Sequence, residues 1–212
     1  MDGNNRWSIK NKRSKYDSYK NGAKKLIEIT KFIFDNYDIN YVSAFALSKH
    51  NFKRGSSIIN IIEKVLNDFL TQNLSKNNFN FRFSFRGDLT FLPKKIFKGI
   101  KDLEKINIKS KRSLIIYLNY SGKEDIISAA KSLKKTNKIN EITYRKNLKS
   151  SNIPDPDMLI RSGGYQRLSD FLLYQISFTD FFFTKTLWPD IKKSQIKKYI
   201  YQFKYLERKF GF

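Results

Sequence analysis

Cysteine is absent from the 212 residues, which removes disulfides, thiolate nucleophiles, zinc fingers and iron–sulfur clusters from consideration. Histidine occurs once, at His50, so a Ser-His-Asp triad would have to use that residue and a His-rich metal site is excluded. Long apolar runs are missing too: the most apolar stretch, residues 171–188, is broken by Gln175, Asp180 and Lys185, and no secretory leader opens the sequence. A soluble, cytoplasmic protein is expected. Acidic residues are scarce, with 19 Asp plus Glu against 42 Lys plus Arg, a formal charge of +23. Such a field attracts phosphates, nucleic acid or anionic lipid. Scattered lysines on a solvated face, of the kind that A/T-biased coding also produces, account for the same charge.

Apolar material is plentiful: 40% of residues are hydrophobic and 16% aromatic, with 19 Phe and 12 Tyr. One domain over residues 1–212 with a substantial core follows, and disorder does not. Ala23, Leu26, Ile27, Ile33 and Phe34 recur at helical spacing, and residues 41–47 form a short apolar run of strand length. Ser56 or Ser57 is placed to cap a second helix, striped by Ile58, Ile61, Ile62, Val65, Phe69 and Leu70. Phe79, Phe81, Phe83 and Phe85 alternate with Asn80, Arg82, Ser84 and Arg86, the period of two of a strand with one buried face. Pro93 opens a short helix towards Leu103, residues 113–118 read as a third strand, and Ile126, Ile127, Ala130 and Leu133 mark another helix. Residues 158–160 are a short strand, and Ile196, Tyr199, Ile200, Phe203, Leu206 and Phe210 stripe a last helix. Residues 109–112 and 134–138 read as basic surface connections. The alternation of strands and helices predicts the α/β class, with a mainly parallel central sheet surrounded by helices.

In an open parallel sheet the ligand sits at the carboxyl ends of the strands. Four segments fall there: Ser48-Lys49-His50-Asn51-Phe52-Lys53-Arg54, Gly87-Asp88, Asn119-Tyr120-Ser121-Gly122-Lys123, and Arg161-Ser162-Gly163-Gly164-Tyr165-Gln166-Arg167-Leu168-Ser169. Arginine binds phosphate oxygens with a planar fork, while Gly and Ser let backbone N–H groups approach the same oxygens. Each segment alone is an ordinary turn or cap; the four together predict a diphosphate site. Neither Gly-x-Gly-x-x-Gly nor Gly-x-x-x-x-Gly-Lys-Ser/Thr is present, which argues against a nucleoside triphosphate. No two aspartates are adjacent, so the Asp-Asp signature of trans-prenyl synthases and terpene cyclases is missing. Asp2, Asp88, Asp157, Asp170 and Asp180 are the candidate carboxylates, and one or two suffice for Mg2+, which keeps several waters and shares substrate phosphates.

Several ordered blocks then carry a resemblance: Met1-Asp2-Gly3-Asn4-Asn5-Arg6-Trp7, Ala44-Phe45-Ala46-Leu47-Ser48 with Asn51 and Arg54, Asn119-Tyr120-Ser121-Gly122, and Asp155-Pro156-Asp157-Met158-Leu159-Ile160-Arg161 through Trp188-Pro189-Asp190. Over essentially its whole length the chain resembles the cis-prenyltransferases, specifically bacterial undecaprenyl diphosphate synthases. The resemblance implies a six-stranded, mainly parallel sheet around a hydrophobic tunnel, working as a homodimer. It implies that isopentenyl diphosphate is condensed onto an allylic primer such as farnesyl diphosphate to build a polyprenyl carrier lipid such as undecaprenyl diphosphate. The product would leave through a transient association with the inner face of the membrane. By the same resemblance Asp2 is the essential carboxylate and, with Asp180, a Mg2+ ligand; Gly3, Asn4 and Arg6 line the departing allylic diphosphate, and Trp7 is a substrate-binding residue. Arg161, Arg167 and Ser169 would hold isopentenyl diphosphate, Asn51 would act at the reacting carbons with Arg54 nearby on a mobile lid running to about Ser57, and Ser48 and Phe52 would be substrate-binding residues.

The departures from the family pattern are specific. Tyr19 stands for a diphosphate-contacting histidine, with Lys15 or Lys20 available to supply the charge. Lys49-His50 replaces Ser-Glu, Phe52 a tryptophan and Tyr165 a glutamate, and Tyr117 with Leu118 replaces small residues near the tunnel. An apolar strand leads into the Asp-Gly-Asn turn in the family, so the natural protein is expected to begin upstream of Met1. Two other readings stay open. A nucleic-acid-binding protein would use the basic and aromatic residues interleaved over 79–86. A weakly active partner subunit of the same fold is disfavoured by Asp2, Asn51, Arg161, Arg167 and Ser169, and Arg208 and Gly211 are one residue too far apart for its Arg-x-Gly ending.

Overall fold

The computed structural model describes residues 1–52, 55–74, 79–133 and 139–207; Arg54, the connection 134–138, Arg208, Phe210 and Gly211 lie outside the described residues. In chain order the elements are α1 Asn4–Lys10, α2 Lys15–Asn36, β1 Tyr41–Phe45, α3 Lys49–Phe52, α4 Ser56–Asn73, β2 Arg82–Gly87, α5 Lys94–Lys105, β3 Ser113–Leu118, α6 Gly122–Leu133, α7 Glu141–Lys146, β4 Met158–Arg161, β5 Asp180–Phe183, a 3-10 turn Trp188–Asp190, and α8 Lys193–Lys204. They gather into two units, one of Met1–Ile39, Pro156–Arg167 and Gln175–Phe212, the other of Asn40–Asp155 and Leu168–Tyr174. Every ladder is parallel, as the alternation of elements predicts. The described residues hold five strands in ladders of three and two, in place of the single six-stranded sheet that the resemblance implies.

In the second unit the strand order is β1-β3-β2, and all six residues of β3 are buried. An interior strand of a parallel sheet is covered on both faces, which is why Ser113-Leu-Ile-Ile-Tyr-Leu118 reads as a continuous apolar run. Ser113 is in register with Tyr41 on one side and Arg82 on the other. The alternation of Phe79, Phe81, Phe83 and Phe85 is borne out: all four are buried, and Phe83 meets Phe79 edge-on at 4.9 Å and Phe69 of α4 at 5.7 Å. The ladder starts only at Arg82, so the first two phenylalanines pack from the connection that leads into the strand. α4 buries Ile62, Val65 and Leu70, and α5 buries Ile96, Ile100 and Leu103, each side chain contributing about 1.5–3 kcal/mol. Neither Ser56 nor Ser57 caps α4: the helix begins at Ser56, after Gly55 at φ 114, and no side chain bonds the first amides.

In the first unit the long α2 is capped by Ser14, whose hydroxyl accepts from the Asp17 N–H. Ile29 of α2 packs with Ile191, Ile196 and Ile200, and with Met158 and Ile160 of β4. α8 closes at Lys204 and Leu206 is 44% exposed, so the apolar stripe expected to run through Leu206 ends at Phe203. Helix α1 approaches α2 at two small residues. Ser18 donates its hydroxyl to the Asn4 carbonyl at 2.6 Å, and a Cβ on Gly22 would stand 2.6 Å from Asn4 Oδ1. Any larger residue at either position would push α1 away and move the turn that precedes it. No helix among the described residues is long and apolar enough to cross a membrane.

Candidate active site

The turn Asp2-Gly3 leads into α1, and its shape requires glycine: Gly3 has φ 104, and a Cβ there would lie 2.8 Å from Leu187. Both backbone groups of Asp2 are fastened. Its N–H donates to Ser162 Oγ at 2.9 Å, and its carbonyl accepts from the Ser162 hydroxyl at 3.1 Å and from the Trp188 N–H at 2.9 Å. The 3-10 turn is itself tied down, since Trp188 Nε1 donates to the Gly22 carbonyl at 2.9 Å and Asp190 accepts from Trp7 Nε1 at 2.7 Å. Trp7 is therefore an anchor between α1 and this turn, a role its position in the motif did not disclose.

With the backbone occupied, the Asp2 side chain faces cations. Arg161, the last residue of β4, donates to Oδ2 at 3.1 Å, and Arg6, one turn into α1, reaches Oδ1 at 3.5 Å. Arg161 is 13% exposed and Asp2 34%, so this pair is shielded on one side and open on the other. Arg161 also donates to the Arg167 carbonyl. The ring of Tyr165 lies 4.3 Å from the Arg167 guanidinium, 5.1 Å from that of Arg6 and 5.7 Å from that of Arg161. Gly163, at φ 87, lets the loop pass, because a Cβ would meet Arg6 Nη2 at 2.7 Å. Three guanidiniums against one carboxylate leave a formal local excess of two positive charges, a setting for a polyanion.

Of the other expected residues in this unit, Asn4 has a buried Oδ1 without a hydrogen-bond partner among the described residues, Lys15 is exposed at the start of α2, and Tyr19 is half-buried on α2. Lys20 bonds the Tyr16 hydroxyl at 3.2 Å. Asp180, the other expected metal ligand, stands on the strand that pairs with that of Arg161. It opens β5 opposite Met158, three register positions before the Arg161–Phe183 pair, roughly 10 Å away at about 3.3 Å per residue. Among the described residues no group of three or more His, Asp or Glu could hold a metal. As a partly exposed hard oxygen donor, Asp2 is the kind of ligand that Mg2+ accepts, with waters and phosphate oxygens able to complete its shell.

In the second unit Ser48 pairs with Tyr120 in an isolated parallel bridge, and its hydroxyl accepts from the Asn51 N–H at 3.1 Å. Ser48 thus caps α3, which carries Asn51 and Phe52; the Phe52 ring rests edge-on against Phe91 at 5.1 Å. Asp170 is the hub of the following loops. Its buried carboxylate accepts from the Ser121 hydroxyl at 2.6 Å and the Lys123 N–H at 2.9 Å, capping α6, and it stands 3.3 Å from His50 Nε2. The serine donates to the aspartate, so no base faces Ser121 and the trio is no nucleophilic triad. Ser169 and Asp170 both hold left-handed backbone, at φ 52 and φ 67. Tyr117 lies fully buried against Phe171 at 5.3 Å and Tyr120 at 4.8 Å. Burial pushes both tyrosine hydroxyls far above their ordinary pKa, and the Asp125 carboxylate, which accepts from Tyr120 at 2.9 Å, adds to the shift there. Sequence reasoning placed Ser162 and Tyr165 in the segment after Arg161 that it read as part of the diphosphate site, without an individual role for either, and gave Asp190 none beyond its place in the family motif.

The family described as putative undecaprenyl diphosphate synthase matches residues 1–211. An isoprenyl transferase of Wolinella succinogenes is 33% identical over 216 residues, spanning 100% of this chain and 93% of that protein. Among solved structures, lavandulyl diphosphate synthase from Lavandula x intermedia, in complex with dimethylallyl diphosphate, superposes with a TM-score of 0.87 at 27% identity, over 100% of this chain and 95% of that one. A probable undecaprenyl diphosphate synthase from Campylobacter jejuni does so with a TM-score of 0.80 at 31% identity, over 91% and 92%. With the sequence pattern, the parallel α/β fold and the arginine-ringed aspartate in agreement, the chain belongs to the undecaprenyl diphosphate synthase family of prenyltransferases.

Proposed function

We propose that Asp2, Arg6, Arg161 and Arg167 hold the diphosphates and the Mg2+ of a cis-prenyl transfer, with Asn51 acting at the reacting carbons. The family to which the chain belongs condenses isopentenyl diphosphate onto an allylic diphosphate. The carbon–oxygen bond to the allylic diphosphate breaks, a carbon–carbon bond forms from the isopentenyl double bond, and loss of a proton leaves a new cis double bond. Negative charge therefore grows on the departing diphosphate, and the guanidiniums of Arg6, Arg161 and Arg167 are the groups of this chain suited to stabilise it. Each such pair at about 4 Å is worth roughly 4 kcal/mol at an effective dielectric near 20. Asp2 would hold the magnesium, which when bound would supply further neutralisation of that charge.

The observation that carries this reading is the Asp2 carboxylate, pinned through its backbone and bracketed by Arg161 at 3.1 Å and Arg6 at 3.5 Å. The finer points of the proposal are farnesyl diphosphate as primer, a product of undecaprenyl length held in a hydrophobic tunnel, a homodimer, and a cytoplasmic protein that releases product at the membrane surface. Incubation with farnesyl diphosphate, labelled isopentenyl diphosphate and Mg2+, followed by sizing of the dephosphorylated products, tests reaction and length together. Absence of any elongated product from both farnesyl and shorter allylic primers refutes the reading.

A further inference from the structure

We infer that Tyr165 is a positioning residue: its ring gathers the guanidiniums of Arg6, Arg161 and Arg167 into one fan that is set to receive a diphosphate. The inference rests on the diphosphate role proposed above for those arginines. Three guanidiniums lie within 6 Å of one ring centroid, at 5.1, 5.7 and 4.3 Å, the reach over which an aromatic face attracts a cation.

The need for such a device follows from the partners of each arginine. Arg6 and Arg161 share the Asp2 carboxylate, which offsets only part of their charge. Arg167 is exposed and, among the described residues, has no carboxylate partner, so its guanidinium is held by the Tyr165 face alone. An arginine left to roam carries about 2 kcal/mol of rotamer entropy, which diphosphate binding would have to overcome. Stacking on a ring lowers that cost beforehand, and the ring's negative face lets three like charges approach one another before the anion arrives. Tyr165 itself is 44% exposed and fills no core, so holding up the fold is not its task. The backbone agrees, since Gly163 and Gly164 at φ 87 and φ 86 turn the chain immediately before the ring.

The test measures inorganic pyrophosphate affinity by calorimetry, and separately KM and kcat for isopentenyl diphosphate, in Tyr165→Phe, Tyr165→Leu, Tyr165→Ala and Arg161→Ala proteins. Tyr165→Phe keeps the aromatic face and stays within about twofold of the parent. Tyr165→Leu and Tyr165→Ala weaken pyrophosphate about tenfold and raise KM with little change in kcat, while melting temperatures stay together, because tenfold corresponds to about 1.4 kcal/mol, within reach of cation–π contacts. Weakening by Arg161→Ala with none by Tyr165→Ala overturns the positioning role and leaves the diphosphate site standing. A Phe variant as weak as the Ala variant also overturns it, since the hydroxyl and not the ring face would then be at work. If Arg161→Ala leaves pyrophosphate binding unchanged, the diphosphate reading itself falls, and this inference with it.

Discussion

Removing the Asp2 carboxylate separates catalysis from folding. The backbone of Asp2 makes three hydrogen bonds, with Ser162 Oγ at 2.9 and 3.1 Å and with the Trp188 N–H at 2.9 Å, and none of them needs the side chain. The side chain is 34% exposed and makes two ion pairs, at 3.1 and 3.5 Å. Partly exposed pairs are worth about 1 kcal/mol each at most, so Asp2→Ala costs no more than about 2 kcal/mol of stability. For a chain of this length each kcal/mol moves the melting temperature by roughly 2–4 °C, so a fall below about 8 °C is expected. The effect on turnover is expected to be larger, because Asp2 as proposed holds the cation that would stabilise the developing negative charge, and loss of such stabilisation costs on the order of 100- to 1,000-fold. Asp2→Asn, which keeps the shape and the backbone bonds, should lose as much turnover with still less change in melting. Incorporation of labelled isopentenyl diphosphate and a thermal melt read the two effects side by side. Turnover within about tenfold of the parent in both variants, a barrier change of only about 1.4 kcal/mol, refutes the assignment of Asp2.

The remaining predictions concern substrate binding and the second unit. Arg161→Ala and Arg167→Ala raise KM for isopentenyl diphosphate by roughly 10- to 150-fold, the equivalent of a lost charged hydrogen bond, with the better shielded Arg161 at the upper end; an effect confined to the allylic substrate would reverse the two sites. Asp170→Ala uncaps α6 and strands the Ser121 hydroxyl, so a loss of about 2–3 kcal/mol is expected in a melt, whereas His50→Ala, at the 66% exposed end of the same pair, changes little. Equal melts for Asp170→Ala and the parent would show that the carboxylate is not the cap. Tyr117→Phe removes a buried hydroxyl that has no hydrogen-bond partner among the described residues, so its melt stays level or rises; a drop worth more than about 1 kcal/mol would reveal a hidden partner.

Much of this arrangement is legible in the sequence where burial imposes a period. β3 and the alternating phenylalanines are read correctly because an interior strand is apolar throughout and a one-faced strand alternates. The expectation fails where the period is absent. Asn-Asn-Arg-Trp-Ser-Ile-Lys has no apolar stripe, and α1 is set by its seat on Ser18 and Gly22 of α2, contacts that join distant parts of the chain. Asp-Phe-Phe-Phe neither alternates nor reaches the usual strand length, so β5 stays hidden until its ladder with β4 is seen. The site divides the same way. Asp2, Arg6 and Arg161 are visible as motif residues, whereas the place of Asp180 opposite Met158 depends on the β4–β5 register, which no single segment encodes. Ser48 looks like a ligand-binding hydroxyl in a loop, and only the Asn51 amide above it shows that it caps a helix.

Placing a prospective metal carboxylate between arginines is economical only if the carboxylate can change partners without moving. Asp2 meets that condition, because Ser162 and Trp188 position it whatever its side chain is bound to. On the proposed role, a diphosphate would give the arginines a stronger anion to face than a single carboxylate, which would leave the Asp2 oxygens open to a cation. The ion pairs of Asp2 would then align charge for the substrate rather than compete with it. Only the charges within a screening length, about 8 Å at physiological salt, take part in this exchange. The formal charge of +23 therefore raises the encounter rate with anions in general, while on the proposed reading the choice of a diphosphate would rest on three guanidiniums and one aspartate at the Asp2-Gly3 turn.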